Sequence, residues 1–358
     1  MAIKNTVLGG TDWTDGQILY SVDLNDTYNA AASDAEKLNP WIPSSAGIAN
    51  AGVFCGFAGF TSTTWISMDS GLSSVRRTTD GGLTWATISL ATAAREIARV
   101  FGSATHAIVF ETGAKTMSYT SDAGATFTPS GAAPASFTLI HMMSMPTTTL
   151  AVMCGTVTSL RSIAYSTNNG AAWTVATSGP TVGTFAIAML DATTGFAVDS
   201  ANNVWKTTNG GVDWTDTTHD ISGISSTAGR NGIIALTSTS FIYFDNLGSV
   251  WKYNNATVTT PTIQFSTTSA AAGFLFGPVK LTNGYIYAAV IGSATGVQGT
   301  GLLMRTKDTG TSWQVRPITL GLSGASTYSS ISEIGTNVLG VGQKLANSSI
   351  LKFDETRE

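Results

Sequence analysis

The sequence predicts an all-β protein, a seven-bladed β-propeller preceded by a short N-terminal arm with one helix. Two observations carry this. An eight-residue pattern, Ser/Thr-x-Asp/Asn-x-Gly-x-x-Trp/Phe, recurs five times, and its copies lie one propeller blade apart. They read TTDGGLTW (residues 78–85), TSDAGATF (120–127), STNNGAAW (166–173), TTNGGVDW (207–214) and TKDTGTSW (306–313). The gap between the fourth and fifth holds an eroded copy, because SVWKYNNAT (249–257) aligns with NVWKTTNGG (203–211). Tyr253 stands there at the hydroxyl position and Asn255 at the carboxylate position, while glycine and aromatic are gone. ILKFDE (350–355) matches LMRTKD (303–308), so units start at 78, 120, 166, 207, 253, 306 and 353. Four-stranded blades have this period, and brief runs such as GIIALTS, SFIYFD and SVWKYN, bounded by Gly, Asn, Asp and Ser, read as strands rather than helices.

The pattern resembles the Asp-box, or BNR repeat, of sialidases, sortilin-type receptors and photosystem assembly factors, over residues 40–358. The resemblance implies a turn between the third and fourth strands of each blade. The residue types suit that role. Asp80, Asp122 and Asp308, with Asn168 and Asn209 in the other copies, are expected to accept backbone amides two residues on, and Thr78, Thr120, Ser166, Thr207 and Thr306 supply the hydroxyl. Gly82, Gly124, Gly170, Gly211 and Gly310 permit positive φ, and Trp85, Phe127, Trp173, Trp214 and Trp313 are expected to bury a ring between sheets. These residues read as structural rather than catalytic.

The seventh unit stops after its third strand, near Phe353. NPWIPS (39–44) resembles the fourth-strand starts TWATIS, AWTVAT and SWQVRP, so Trp41 is expected to close the ring, with residues 39–45 as the last strand of the propeller domain 39–358. Closure removes sheet edges, and flanking prolines suit an outermost strand.

Residues 1–38 form the expected docking arm. Asp23 is a good N-cap, and Leu24, Tyr28, Ala31, Ala35 and Leu38 follow at helical spacing. So short a helix is marginal alone and needs a partner, either its own propeller or other subunits. WTDGQILYSVDLNDTYNAA (13–32) resembles the W-x-D-G-x-x-L-x-x-x-D-L-N-D-T-F/Y opening of tail-fibre and other virion structural proteins of bacterial and archaeal viruses. That implies a virion component, a tail-fibre or tail-tip protein binding a glycan or protein receptor on the host. The alternative is an architectural decoration, turret or collar protein. The expected partners are other virion proteins, contacted through the arm, and further copies of the chain.

Composition fits a particle protein made in the host cytoplasm. Only 11% of residues are charged, against roughly 25% in ordinary domains, and the start lacks the apolar core of a signal peptide. A net charge of −4 leaves no footprint for nucleic acid, and no apolar run is long enough to span a bilayer. Cys55 and Cys154 read as buried thiols. His106, His141 and His219 fall in three blades without metal-site spacing, and no phosphate-cradling glycine motif occurs, so no metal or cofactor is expected. The Met cluster at 141–145 reads as core.

Sialidase chemistry is the remaining enzymatic reading. It needs an arginine clamp beginning in an F/Y-R-I/L-P motif ahead of the first box, yet no arginine precedes Arg76. Arg76 and Arg77 already enter the first box, and Arg95, Arg99, Arg161, Arg230, Arg305, Arg316 and Arg357 sit in no comparable motif. Glu96, Glu111 and Glu333 are carboxylates that the sequence cannot pair at the ~5–9 Å such chemistry requires. The expectation is a non-enzyme.

Overall fold

Short β-rich runs separated by turn residues fold here as successive four-stranded antiparallel meanders. The computed structural model describes residues 41–48, 54–69, 73–91, 93–94, 96–100, 103–111, 114–221, 232–245, 249–254, 257–264, 274–291, 301–318, 327–334, 337–344 and 348–354. Blade one comprises Phe54–Gly59, Trp65–Asp69, Ser74–Thr78 and Ala86–Ser89, hydrogen-bonded in that order. Blades two to six repeat the arrangement over residues 96–129, 137–175, 184–220, 232–264 and 274–318. First strands of adjacent sheets contact one another, which places them innermost around the propeller axis.

The core lies between blades rather than within them. Ile66 and Val75 of blade one pack with Ala107 and Val109 of blade two, and Ile108 and Phe110 pack with Ile140 and Met153 of blade three. Val152 and Cys154 meet Ile187 and Trp214, Phe196 meets Phe241 and Tyr253, and Ile242 meets Met304, so each pair of neighbouring blades shares one apolar layer. Blades stack because each strand buries one face against the next sheet.

The expected seven-bladed ring with an N-terminal helix requires correction. Six blades are continuous segments of chain. The remaining sheet is not a further copy of that unit: its order joins Trp41–Ile48 to Ser348–Asp354, Val338–Lys344 and Thr327–Glu333, and no turn links its third and fourth strands. Trp41 pairs with Phe353, Ile42 with Lys352 and Ser44 with Ile350, and the strand runs to Ile48 rather than ending at 45. The edge of Ser348–Asp354 that a fourth strand takes in the other blades is here taken by Trp41–Ile48, a segment distant in sequence. No helix occurs among the described residues. The apolar seam at Leu24, Tyr28, Ala31, Ala35 and Leu38 lies outside them, and its periodicity named no partner to stabilise a helix.

The composite sheet sits between blades one and six. Gly59 donates its amide to Ser332 Oγ at 3.3 Å, and Ile334 is buried with Phe57 and Trp65. Glu333, almost fully buried, accepts from Thr282 N and Thr282 Oγ1 of blade six, both at 2.9 Å, and from Asn337 N at 3.1 Å. Arg99 Nη1 of blade two donates to the Glu333 carbonyl at 3.0 Å.

Deleting residues 1–48 removes every partner of Ser348–Asp354 on that side and exposes its edge. A large fall in melting temperature and self-association on gel filtration are expected; a monomer as stable as the full chain would refute the pairing.

Candidate functional site

Five turns of one design are the most regular local structure in the chain. In the first, Gly82 N donates to Thr78 Oγ1 at 2.9 Å, and that hydroxyl donates to Asp80 Oδ1 at 2.7 Å. Asp80 also receives Thr84 N at 2.9 Å and Thr84 Oγ1 at 2.5 Å. The second turn repeats this with Thr120, Asp122, Gly124 and Thr126, and the last with Thr306, Asp308, Gly310 and Ser312. In the third and fourth, Ser166 and Thr207 donate to Asn168 Oδ1 and Asn209 Oδ1, which accept the amides of Ala172 and Asp213. The amide that satisfies the Asp or Asn oxygen is therefore four residues on, not two as expected. The hydroxyl is the buried centre of each turn, with Thr78, Thr120, Ser166, Thr207 and Thr306 all at most 3% exposed.

Four of the turn glycines, Gly124, Gly170, Gly211 and Gly310, close the contact with the preceding blade. Gly124 has φ +77°, and a Cβ there would lie 2.5 Å from Ile66 Cγ2 of the preceding blade. Gly170 meets Ile108 of blade two in the same manner, and Gly310 meets Ile242 of blade five. Burial of the aromatics departs from expectation: only Trp214 is fully buried, while Trp85, Phe127, Trp173 and Trp313 remain half-buried at the seams. Trp214 Nε1 and Trp85 Nε1 fold back to the carbonyls of Gly211 and Gly82.

The eroded fifth copy has a different filling. Tyr253 stacks on Phe241 with centroids 4.8 Å apart and lies 6.0 Å from Phe196 of blade four, so aromatic packing occupies the seam that elsewhere takes glycine on an aliphatic side chain. Blades four and five also share a device the sequence reading missed. Asp199 accepts Trp205 Nε1 at 2.8 Å and Asp245 accepts Trp251 Nε1 at 3.0 Å, a link legible in the common Asp-x5-Trp spacing.

Among the described enzymatic candidates, Arg99 meets the Glu333 carbonyl, and the other arginines are held by different neighbours. Arg76 donates to Thr87 and Arg77 to the Ala123 carbonyl, both from blade one, Arg161 to the Gly179 carbonyl from blade three and Arg305 to Gln314 on blade six. Arg95, Arg230, Arg357 and Asn255 lie outside the described residues, and the Arg316 side chain is likewise undescribed. Glu96 and Glu111 lie in or just after the innermost and second strands of blade two, while Glu333 belongs to the composite sheet. His141 shares a 2.8 Å hydrogen bond with Thr156 Oγ1, His106 one with Thr105 Oγ1, and His219 one with the Thr217 carbonyl. Cys154 is a free, fully buried thiol whose pKa burial raises; the Cys55 side chain is outside the description. Among the described residues no cluster of three His, Cys, Asp or Glu able to hold a metal occurs, and no helix is long and apolar enough to cross a membrane.

One surface groove of about 330 Å³ differs chemically from its surroundings. Tyr285, Arg305, Lys307, Asp308, Ser312 and Gln314 line it, beside the box turn of blade six. The Arg305 guanidinium lies 5.0 Å and the Lys307 ammonium 4.9 Å from the Tyr285 ring centre. Arg305 is 5% exposed and fixed by Gln314 Oε1 at 2.8 Å and Tyr287 Oη at 3.4 Å. Tyr285, Arg305 and Gln314 flank the box, and Lys307 and Ser312 fill its variable positions, so the motif singles out none of them.

Solved structures of similar shape show the fold. YCF48 bound to a D1 peptide aligns at TM-score 0.60 and 14% identity, covering 88% of this chain and 95% of that one. A streptogramin B lyase aligns at 0.61 and 12%, covering 87% and 96%. The GH74 enzyme of Niastella koreensis aligns at 0.58 and 16%, covering 87% of this chain and 55% of that chain. All are β-propellers by this likeness, and at such identity it extends to fold alone. No protein-family model matches the chain, and no curated protein matches it.

The turns predict an acid response. The Thr84 hydroxyl and amide, with Thr78, hold Asp80 well below the usual carboxylate range, and Ser312 and Thr306 do the same for Asp308. At Asp122 desolvation opposes, yet the bonds from Thr126 and Thr120 prevail and the pKa is lowered. A depressed folded pKa contributes stability that is present above the unfolded value of about 4 and is lost as pH falls through the folded one. Asn168 and Asn209 make the same acceptor bonds without titrating. A triple Asp80→Asn, Asp122→Asn, Asp308→Asn variant is therefore expected to fold at pH 7 and to lose less stability than the parent below about pH 4. Equal acid losses in thermal melts would refute the assignment.

Proposed function

We propose that this chain is a non-enzymatic structural protein of a virus particle, a tail-fibre or tail-tip component whose propeller binds a receptor on the host surface. The observation that carries the reading is the segment 13–28, W-T-D-G through D-L-N-D-T-Y, set ahead of a propeller. Its likeness to virion openings supplies the location, and residues 1–38 supply the attachment to other virion proteins. The non-enzymatic part rests on the described arginines, of which Arg76 and Arg77 lie on blade one, Arg161 on blade three and Arg305 on blade six, each held by a neighbour. A propeller suits receptor binding because its stacked blades hold surface loops on a rigid frame. YCF48, described with a bound peptide, is one propeller of this shape that binds a partner.

The arm decides the test. Leu24→Asp with Tyr28→Asp places charge in the apolar seam while leaving every blade residue intact. Particles purified from a complemented double mutant are expected to lack the protein, while the melting curve of the isolated chain is unmoved. Normal incorporation of the variant would overturn the attachment role.

A further inference from the structure

A repeated turn provides its own internal comparison, since equivalent positions can be read across blades in register. The residue following the buried hydroxyl is Thr79, Ser121, Thr167 and Thr208 in four turns, and Lys307 in blade six. The eighth residue after the hydroxyl is Ala86, Thr128, Thr174 and Thr215, against Gln314. Thr78, Thr120, Ser166, Thr207 and Thr306 pair with Trp65, Ala107, Ala151, Gly195 and Ile286. The residue before each of those partners is Thr64, His106, Leu150 and Thr194, against Tyr285. Three positions that are otherwise mostly small or hydroxylated thus change together on one blade, and they change to groups that meet in one groove.

Blade four shows what the scaffold produces without that change. Its equivalent groove is lined by Lys206, Asn209, Asp213, Thr215 and Asp216, with one cation against two carboxylates. Blade six presents two cations against Asp308, whose oxygens are already engaged by Thr306 and Ser312. The same backbone therefore carries opposite charge on two blades.

We propose that the blade-six groove binds the carboxylate-bearing sugar of an acidic glycan, an inference that rests on the receptor-binding reading and names its ligand class. Tyr285 holds both cations over its ring, and the exposed Lys307 ammonium so placed is offered to the sugar carboxylate. Gln314 and Ser312 add hydrogen-bonding groups suited to hydroxyls. Arg305 is held by Gln314 and Tyr287, so it contributes a fixed positive field rather than a fork for phosphate. A net charge of −4 on the whole chain argues against a nucleic-acid strand as the ligand.

Titration calorimetry of the purified full chain with a short oligogalacturonate, a neutral malto-oligosaccharide and dextran sulfate tests this. The parent is expected to bind the oligogalacturonate and not the neutral sugar. Lys307→Ala and Tyr285→Leu are each expected to weaken that binding about ten-fold or more, equivalent to about 1.4 kcal/mol. Lys206→Ala on blade four should leave it unchanged, and melting curves of all three variants should match the parent. Absence of oligogalacturonate binding, equal weakening by Lys206→Ala and Lys307→Ala, or dextran sulfate binding as tightly as oligogalacturonate with no effect of Tyr285→Leu would each overturn the site. Because the protein is free in solution, the result is independent of particle incorporation, which the arm variant reads separately.

Discussion

The structure depends on one buried hydroxyl per turn. Thr120 Oγ1 takes the Gly124 amide and gives its proton to Asp122, leaving none of the three groups unsatisfied. A buried amide without a partner costs about 1–3 kcal/mol, so the hydroxyl fixes where the glycine sits. That glycine then rests against Ile66 of the blade before it. Local hydrogen bonding and inter-blade packing are one interaction seen from two sides, and its repetition sets the spacing between sheets.

The same arrangement explains why the acidic position tolerates Asn. Both residues present an oxygen at Oδ1, and Asn168 and Asn209 accept the amide four residues on just as Asp80, Asp122 and Asp308 do. It also explains the fifth blade. The residue after the strand partner of the hydroxyl position is Phe196 in blade four, where blades one, two, three and five carry Ile66, Ile108, Val152 and Ile242. Phe196 packs at a tilt against Tyr253, which stacks on Phe241 of its own blade, so loss of the glycine and loss of the aliphatic contact occur at the same seam.

Much of this was legible in the sequence, because a short-range turn writes its residues at fixed offsets. The five boxes and their glycines could be placed from spacing alone. The acceptor distance along the chain was misjudged, since residue type gives the oxygen but not which amide folds over it. Ring burial was overestimated for Trp85, Phe127, Trp173 and Trp313, because a repeat fixes the position of a side chain and not the depth of the seam around it. The expected helix at Leu24 to Leu38 lies outside the described residues. The groove joins Tyr285 to Arg305 and Lys307, 20 and 22 residues further on, an adjacency that exists only through strand pairing and stands out only in register.

The central claim, that Gly124, Gly170, Gly211 and Gly310 are each fixed by an aliphatic side chain of the preceding blade, is tested by a double-mutant cycle at Gly124 and Ile66. Gly124→Ala should destabilise the protein both by its φ of +77° and by contact with Ile66 Cγ2, and only the second cost can be relieved from outside the turn. In denaturant melts, Ile66→Ala is expected to make Gly124→Ala less damaging, with a coupling of roughly 1 kcal/mol or more. Strictly additive losses would show that the turn and the neighbouring blade are energetically separate, and would contradict the account.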